Sequence, residues 1–309
     1  MALFIDTSKK FENLFSIISF LNTAHYSDTK INKNIDGLSN YELQGLEELK
    51  CITEKDEFYD LKNLKGIETK RDFIQKVYEV IKSHNTDKSV WELTNPSSNK
   101  DFNLDHISDS GYLSVPGIKD LIRFVTWTHL QDLDFVNVND DFIKKQFQSE
   151  HPLKENGHVM IISNDVRKQF ATQWSNNLLL SYGTGSDIMP SFDFAFKSYF
   201  NKKNFKKGTK ISIKDFLKDL SKEYPWILQG KIGSTAIEKV IALESLPWWK
   251  DDYDPKYVIQ PSVAKTLLIA QQEKKIELFS PKDDDNSKNF LLSISNQPII
   301  DLKVLDPNG

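Results

Sequence analysis

The chain has 309 residues, 39% of them hydrophobic and 12% aromatic, with 40 Lys and Arg against 44 Asp and Glu for a net charge of −4. That composition supplies real cores and excludes wholesale disorder, and the length suits two or three domains. No apolar run is long enough to span a bilayer, and the single cysteine, Cys51, excludes an internal disulfide and a cysteine-built zinc site.

The start, MALFIDTSKKFENLF, is charge-rich and lacks a small-residue cleavage site, so it does not read as a signal peptide and the expected compartment is cytoplasmic. Phe11, Leu14, Phe15, Ile18 and Leu21 recur at spacings of three and four, which predicts a helix with one apolar face and Ser8 as its N-cap. A short second helix is expected over residues 27–35, closed by Asp36-Gly37. Ser39 and Glu42 form a capping-box pattern ahead of a third helix carrying Leu43, Leu46 and Leu49. Cys51-Ile52 and Phe58-Tyr59 flank the polar turn at 54–57 and predict a hairpin. Helix, helix, helix, hairpin over residues 1–66 is the order of a winged helix.

Residues 67–187 read as a helical middle domain. Phe73, Val77, Val80 and Ile81 mark one helix, and Ile118, Leu121, Ile122 and Val125 another. A third, over 165–180, carries Phe170, Trp174 and Leu178. Polar stretches at 95–109 and 150–157 read as loops, and Gly183-Thr184-Gly185 as a helix terminator before Pro190.

From residue 188 to 309 the first order is expected again. Phe192, Phe196 and Phe200 share a helical face, residues 209–213 read as a strand, and Ser212 with Asp215 starts a helix bearing Phe216, Leu217 and Leu220. An aromatic-rich insertion covers about 224–257 and holds Trp226, Trp248, Trp249, Tyr253 and Tyr257. Val263, Leu267 and Ala270 predict the third helix, and residues 276–279 a strand expected to pair with 290–294 around a polar tip at 280–288. The tail after Pro298 reads as a weakly held strand or coil. The expected fold class is mainly α with small β-hairpins (α+β), two winged-helix domains flanking the helical middle.

Charge separates the two ends. Residues 1–66 carry a net −3, residues 67–187 a net −4 and residues 188–309 a net +3. Nine lysines lie between 201 and 231 against Asp215, Asp219 and Glu223, a net of +6. Lysines in such a run neutralise phosphates and release counterions. The DNA-contact candidates are therefore Lys202, Lys203, Lys206, Lys207, Lys210 and Lys214, joined by Lys265, Lys274 and Lys275 on and after the third helix. Only Arg71, Arg123 and Arg167 are arginines, so sharp base reading is not expected. At the other end, the helix that would enter a groove carries Glu42, Glu47 and Glu48 with Lys50 as its one base, and its wing adds Glu54, Asp56 and Glu57. Phosphates repel such a surface, so Glu42, Glu47 and Glu48 are expected to dock a protein instead, with Trp248 and Trp249 as aromatic anchors.

Signals for chemistry are weak. None of the six histidines has zinc-ligand spacing, and Gly183-x-Gly185 lacks the rest of a phosphate-cradling loop. Asp101, Asp105, His106 and Asp109 read as a solvated loop, and the acidic groups 251–254 and 283–285 miss the calcium-loop pattern. Glu273-Lys274-Lys275 resembles part of a nuclease motif but falls at a helix end. The expectation is no cofactor, no metal and no catalysis.

LQGLEELKCITEKDEFYDL at 43–61, NDVRKQFATQWSNNLLLSYG at 164–183 and MPSFDFAFKSYF at 189–200 recur in family order, followed by ISIKDFLKDLSKEYPWI at 211–227 and QPSVAKTLLIAQQEKKIELFSPKDD at 260–284. Through these stretches the chain resembles the DpdG-like tandem winged-helix accessory proteins of prokaryotic anti-phage defence islands. The resemblance implies an accessory role beside a nuclease, helicase or ATPase and carries no catalytic residues. The expected function is a non-enzymatic adaptor of a defence complex that docks a partner protein and contacts double-stranded DNA, with no membrane association. A pure protein-interaction scaffold and a metal-dependent nuclease remain the alternatives.

Overall fold

The computed structural model describes residues 11–23, 30–32, 38–56, 58–84, 88–91, 117–131, 136–137, 165–183, 187–239, 241–281 and 289–306. The first helix, α1 (Phe11–Thr23), buries Phe11, Leu14, Ile17, Ile18 and Leu21 along one face, as the spacing predicts. Where a second helix is expected, Lys30–Asn32 forms a strand, β1, with Ile31 buried between two exposed neighbours. That alternation has the period of two that a strand requires, and three residues are too few to reveal it against a helical reading. Ser8 and the rest of 27–35 lie outside the described residues.

Helix α2 (Asn40–Glu48) begins with the predicted capping box: Ser39 Oγ accepts from the Glu42 backbone N–H at 3.3 Å, and the Glu42 carboxylate accepts from the Ser39 N–H at 2.8 Å. Replacing Ser39 by Ala is expected to cost about 1 kcal/mol in a denaturant melt, because the Glu42 amide in the first turn loses its side-chain acceptor. Strands β2 (Thr53–Glu54) and β3 (Phe58–Asp60) follow, while Cys51 and Ile52 turn into the core ahead of the hairpin. β1 pairs antiparallel with β3 and β3 with β2, giving the sheet order β1-β3-β2.

After α3 (Lys70–Ser83) the same wiring returns in the middle of the chain. Helix α4 (Gly117–Leu130) leads to β4 (Val136–Asn137), and α5 (Asp165–Asn177) to β5 (Ser181–Tyr182) and β6 (Asp187–Pro190). The sheet is antiparallel in the order β4-β6-β5. The middle, expected to be helical, thus also carries the short strands β4 and β5. Two-residue strands such as β4 and β5 carry too few side chains to show alternation. Gly183 stands in the β5–β6 turn rather than at a helix end; its φ of 143° and the Asp187 carbonyl packed against its Cα leave no room for a side chain.

The third copy is α6 (Asp193–Lys203), β7 (Lys210–Ser212), α7 (Ile213–Glu223), α9 (Pro261–Gln272), β9 (Ile276–Phe279) and β12 (Asp301–Val304). Its sheet is β7-β12-β9, again antiparallel. Between α7 and α9 the insertion folds into α8 (Lys231–Lys239) and β8 (Val258–Ile259); between β9 and β12 lie β10 (Phe290–Leu292) and β11 (Pro298–Ile299). The pairing expected between 276–279 and 290–294 is corrected, because β10 joins β8 and β11 in a separate sheet. Phe290 and Leu292 are buried there beside Val258 and Ile259. The partner of β9 is the tail strand β12, whose Leu302 and Val304 share an inner face with Ile276 and Leu278. The tail is thus a central strand, not a loose end.

One corner recurs in all three copies where the last helix meets its hairpin. Lys50, Leu179 and Lys274 each adopt the left-handed conformation, with φ of 52°, 58° and 58°. The next residue then donates back five positions: Cys51 N to Leu46 O, Leu180 N to Ser175 O, and Lys275 N to Ala270 O, each at 2.9 Å. This is the 6→1 bond that closes a Schellman helix end and satisfies a carbonyl the helix leaves open.

The copies share one apolar cluster. Phe11 of α1 meets Phe73 of α3 at 4.8 Å and Trp174 of α5 edge-on at 5.3 Å. Tyr78 of α3 donates to the Leu178 carbonyl at 2.6 Å and lies edge-on to Trp226 and Tyr224. His129, at the end of α4, bridges the second and third copies: its Nε2 lies 3.0 Å from the Leu180 carbonyl and its Nδ1 3.0 Å from Ser262 Oγ at the start of α9.

Candidate nucleic-acid interface

Three helices occupy the equivalent place before a hairpin, and their outward faces differ. In α9 the positions Pro261, Ser262, Val263, Ala264, Thr266, Leu267 and Ala270 are all buried, and the helix packs on α4. It leaves Ile269 and Gln272 exposed, so α9 cannot enter a groove. Lys265 is half-buried on it, Lys274 is exposed at the left-handed corner, and Lys275 pairs with Glu273 at 2.6 Å.

On α2 the carboxylates expected to dock a partner also do local work. Glu42 caps its own helix, Glu47 accepts from the Glu54 backbone N–H at 3.0 Å, and Glu48 is half-buried. Glu54 and Asp56 on the adjoining hairpin are exposed, so the face as a whole stays acidic. Helix α5 is different again. Among its described side chains the exposed ones are Gln169 and Gln173, and Tyr182 at the start of the hairpin is 44% exposed. Sequence reasoning missed this helix as an equivalent of α2 and α9. The available signal was the stretch Leu178–Tyr182, which follows its helix as Leu49–Thr53 follows α2.

The lysines of the third copy divide into paired and unpaired. Lys202 reaches Glu223 at 2.8 Å, Lys203 pairs with Asp219, and Lys210 reaches Asp301 at 2.7 Å. Asp219 is held below the usual carboxylate range, first by the hydrogen bond from Lys203 and then by that from Tyr199. Burial pushes Glu223 up, but the hydrogen bonds from Lys202 and Lys82 outweigh it and hold the group low. Lys206 and Lys207, in the turn between α6 and β7, and Lys214 and Lys218, on the exposed face of α7, have no carboxylate partner among the described residues. Lys214 and Lys218 make a stripe at i, i+4 and i+8 along α7 with Lys222, which itself reaches Asp219 at 3.7 Å. The predicted patch is therefore brought together, but its effective charge rests on fewer lysines than its sequence count.

Trp248 is corrected as a docking anchor: it is 4% exposed, and its indole N–H donates to the Leu130 carbonyl at the end of α4. Trp249 is half-buried against Trp248 and Tyr253, with ring centroids at 5.9 and 5.8 Å. Trp248 thus fastens the insertion to α4, and Trp249 packs against Trp248 and Tyr253 within the insertion.

No group of three or more His, Cys, Asp or Glu among the described residues could hold a metal ion. Asp254 instead caps a short turn by accepting from the Lys256 N–H at 3.0 Å. The candidate groups at 101–109 and 283–285 lie outside the described residues. Burial pushes the Cys51 thiol up to about 12, which leaves it protonated and unreactive. Among the described residues no helix is long and apolar enough to cross a membrane. Comparison with protein-family models, with curated proteins and with solved structures gives no match.

Proposed function

We propose that this chain is a non-enzymatic adaptor made of three winged-helix units. It would contact double-stranded DNA through the lysine edge of the third unit and dock a partner protein through the acidic face of the first. The observation that carries the reading is the sheet order found three times, β1-β3-β2, β4-β6-β5 and β7-β12-β9. In a winged helix the strand ahead of the last helix joins the hairpin that follows it, and each copy is wired in this way. The resemblance to DpdG-like proteins extends the proposal to an anti-phage defence complex, with a nuclease, helicase or ATPase as partner.

Because α9 is buried, DNA would lie across α7 and the preceding turn. Lys206, Lys207, Lys214 and Lys218 would neutralise phosphates there without reading bases. Four such contacts give a log–log salt slope of roughly −3 to −4, so affinity for a mixed-sequence duplex should fall about a hundredfold between 50 and 200 mM salt. Reversing the four lysines to Glu should abolish that binding. A salt-independent affinity, or one untouched by the reversal, would refute the lysine edge. The pairing of Lys202, Lys203 and Lys210 within the chain favours a second reading, a protein scaffold that holds no nucleic acid. No duplex binding at low salt would select it.

A further inference from the structure

Between α3 and the helices α6 and α7 lies a cleft of about 350 Å³. That volume falls at the lower end of the range for small-ligand sites. Arg71, Gln75 and Lys82 come from α3, Asn201 and Lys202 from α6, and Glu223 and Tyr224 from the end of α7. The Glu223 carboxylate accepts from Lys82 Nζ at 2.9 Å and from Lys202 Nζ at 2.8 Å. The two ammonium groups thus already converge on a single anionic oxygen, and each keeps two further N–H donors.

Other groups on the wall are unspent. Arg71 is exposed, with no carboxylate at ion-pair distance among the described residues. Tyr224 is 5% exposed, and its hydroxyl has no hydrogen-bond partner among them. Three cations face Glu79 and Glu223, a net of +1, and Glu79 is exposed. The remaining donors come from a guanidinium fork, two ammoniums and a phenol. They outnumber what a carboxylate accepts and suit the three terminal oxygens of a phosphate monoester.

We propose that this cleft binds a phosphate monoester, carried either by a free nucleotide or by the 5′ end of a nucleic-acid strand. Arg71, Lys82 and Lys202 would hold its charge, Tyr224 would donate to it, and Gln75 and Asn201 would meet whatever the phosphate carries. None of Lys206, Lys207, Lys214 or Lys218 lines the cleft, so the site stands or falls apart from the duplex-binding edge.

Calorimetric titration of the full chain with AMP, inorganic phosphate, and matched 5′-phosphorylated and 5′-hydroxyl oligonucleotides tests the proposal. Saturable binding of AMP or of the 5′-phosphorylated strand is expected, weakened at least tenfold in Arg71→Ala. That variant breaks no ion pair, so its thermal midpoint should be unchanged. Glu223→Gln should tighten binding severalfold by removing the competing charge. Binding of AMP and phosphate alone would assign the site to a free nucleotide, and binding of the phosphorylated strand alone would assign it to a strand end. No binding of any probe at millimolar concentration would overturn the proposal. So would equal affinity for the two oligonucleotides without AMP binding, or indifference to Arg71→Ala.

Discussion

Deleting residues 298–309 is expected to unfold the third copy rather than trim a tail. β12 sits between β7 and β9 and pairs with both, Leu302 facing Ile211 on one side and Leu278 on the other. Further backbone bonds anchor it: Gly208 N donates to Val304 O at 2.7 Å and Leu305 N to Lys275 O at 2.8 Å. Without it, β7 and β9 lose their shared partner, and their inner faces, with Ile276 and Leu278, open to water. Limited proteolysis of the truncated chain should cut readily within 204–281, where the full chain resists. A milder version isolates one side chain. Leu302 is fully buried, so Leu302→Ala should cost about 3 kcal/mol in a denaturant melt, transfer and cavity contributions together. Lys303→Ala, on the opposite face of the same strand, should stay within about 0.5 kcal/mol. Equal effects of the two, or an unchanged cleavage pattern after truncation, would show that β12 is misplaced.

Acid should loosen the joint between the second and third copies before it affects the rest. His129 is fully buried, and burial lowers its pKa from 6.5 to about 4 against a smaller upward pull from its bond to the Leu180 carbonyl. An acceptor-only carbonyl at Nε2 fixes the proton on that nitrogen, so Nδ1 accepts from the Ser262 hydroxyl. Gln260, which donates to Ser262 Oγ and to the His129 carbonyl, and the Phe192 ring complete the surroundings. No carboxylate is among these groups to balance an imidazolium. The folded pKa lies below the unfolded one, so the unfolded chain binds the proton first. Stability from this group is therefore complete above about pH 6.5 and drains away as pH falls toward 4, by about 3 kcal/mol in all. Chemical melts at pH 7, 5.5 and 4 should show the loss, and His129→Gln should flatten it while lowering stability at pH 7. An unaltered pH dependence in that variant would remove His129 as the cause.

Legibility in the sequence tracked element length. α1, α3, α4, α5 and α9 each carry several apolar side chains at helical spacing, and their positions follow from that period. The capping boxes and N-caps at Ser39 and Ser212 were visible because a side chain three residues on completes each pattern. Strand partners were not legible. Residues 290–292 (Phe-Leu-Leu) and 301–304 (Asp-Leu-Lys-Val) are both too short to declare a partner, and it is pairing with Val258 and Ile259 that takes the first of them away from β9. For the candidate site, sequence counted lysines correctly but could not assign them carboxylates. Asp301, which engages Lys210, lies 91 residues further along the chain. The cleft beneath α3 was invisible for the same reason, since Arg71 and Lys82 meet Lys202 only through the fold.

The shared apolar cluster has a mechanical consequence. Three small units joined by open linkers would let bound molecules wander relative to one another. Here Phe11, Trp174, Tyr78 and His129 tie each copy to its neighbour, and interiors packed in this way deform little under load. On the proposed function, a partner docked on the first copy and a duplex along the third would then be held at one set distance and one set angle. The molecule would work as a gauge, with the spacing between its two ends built into the core.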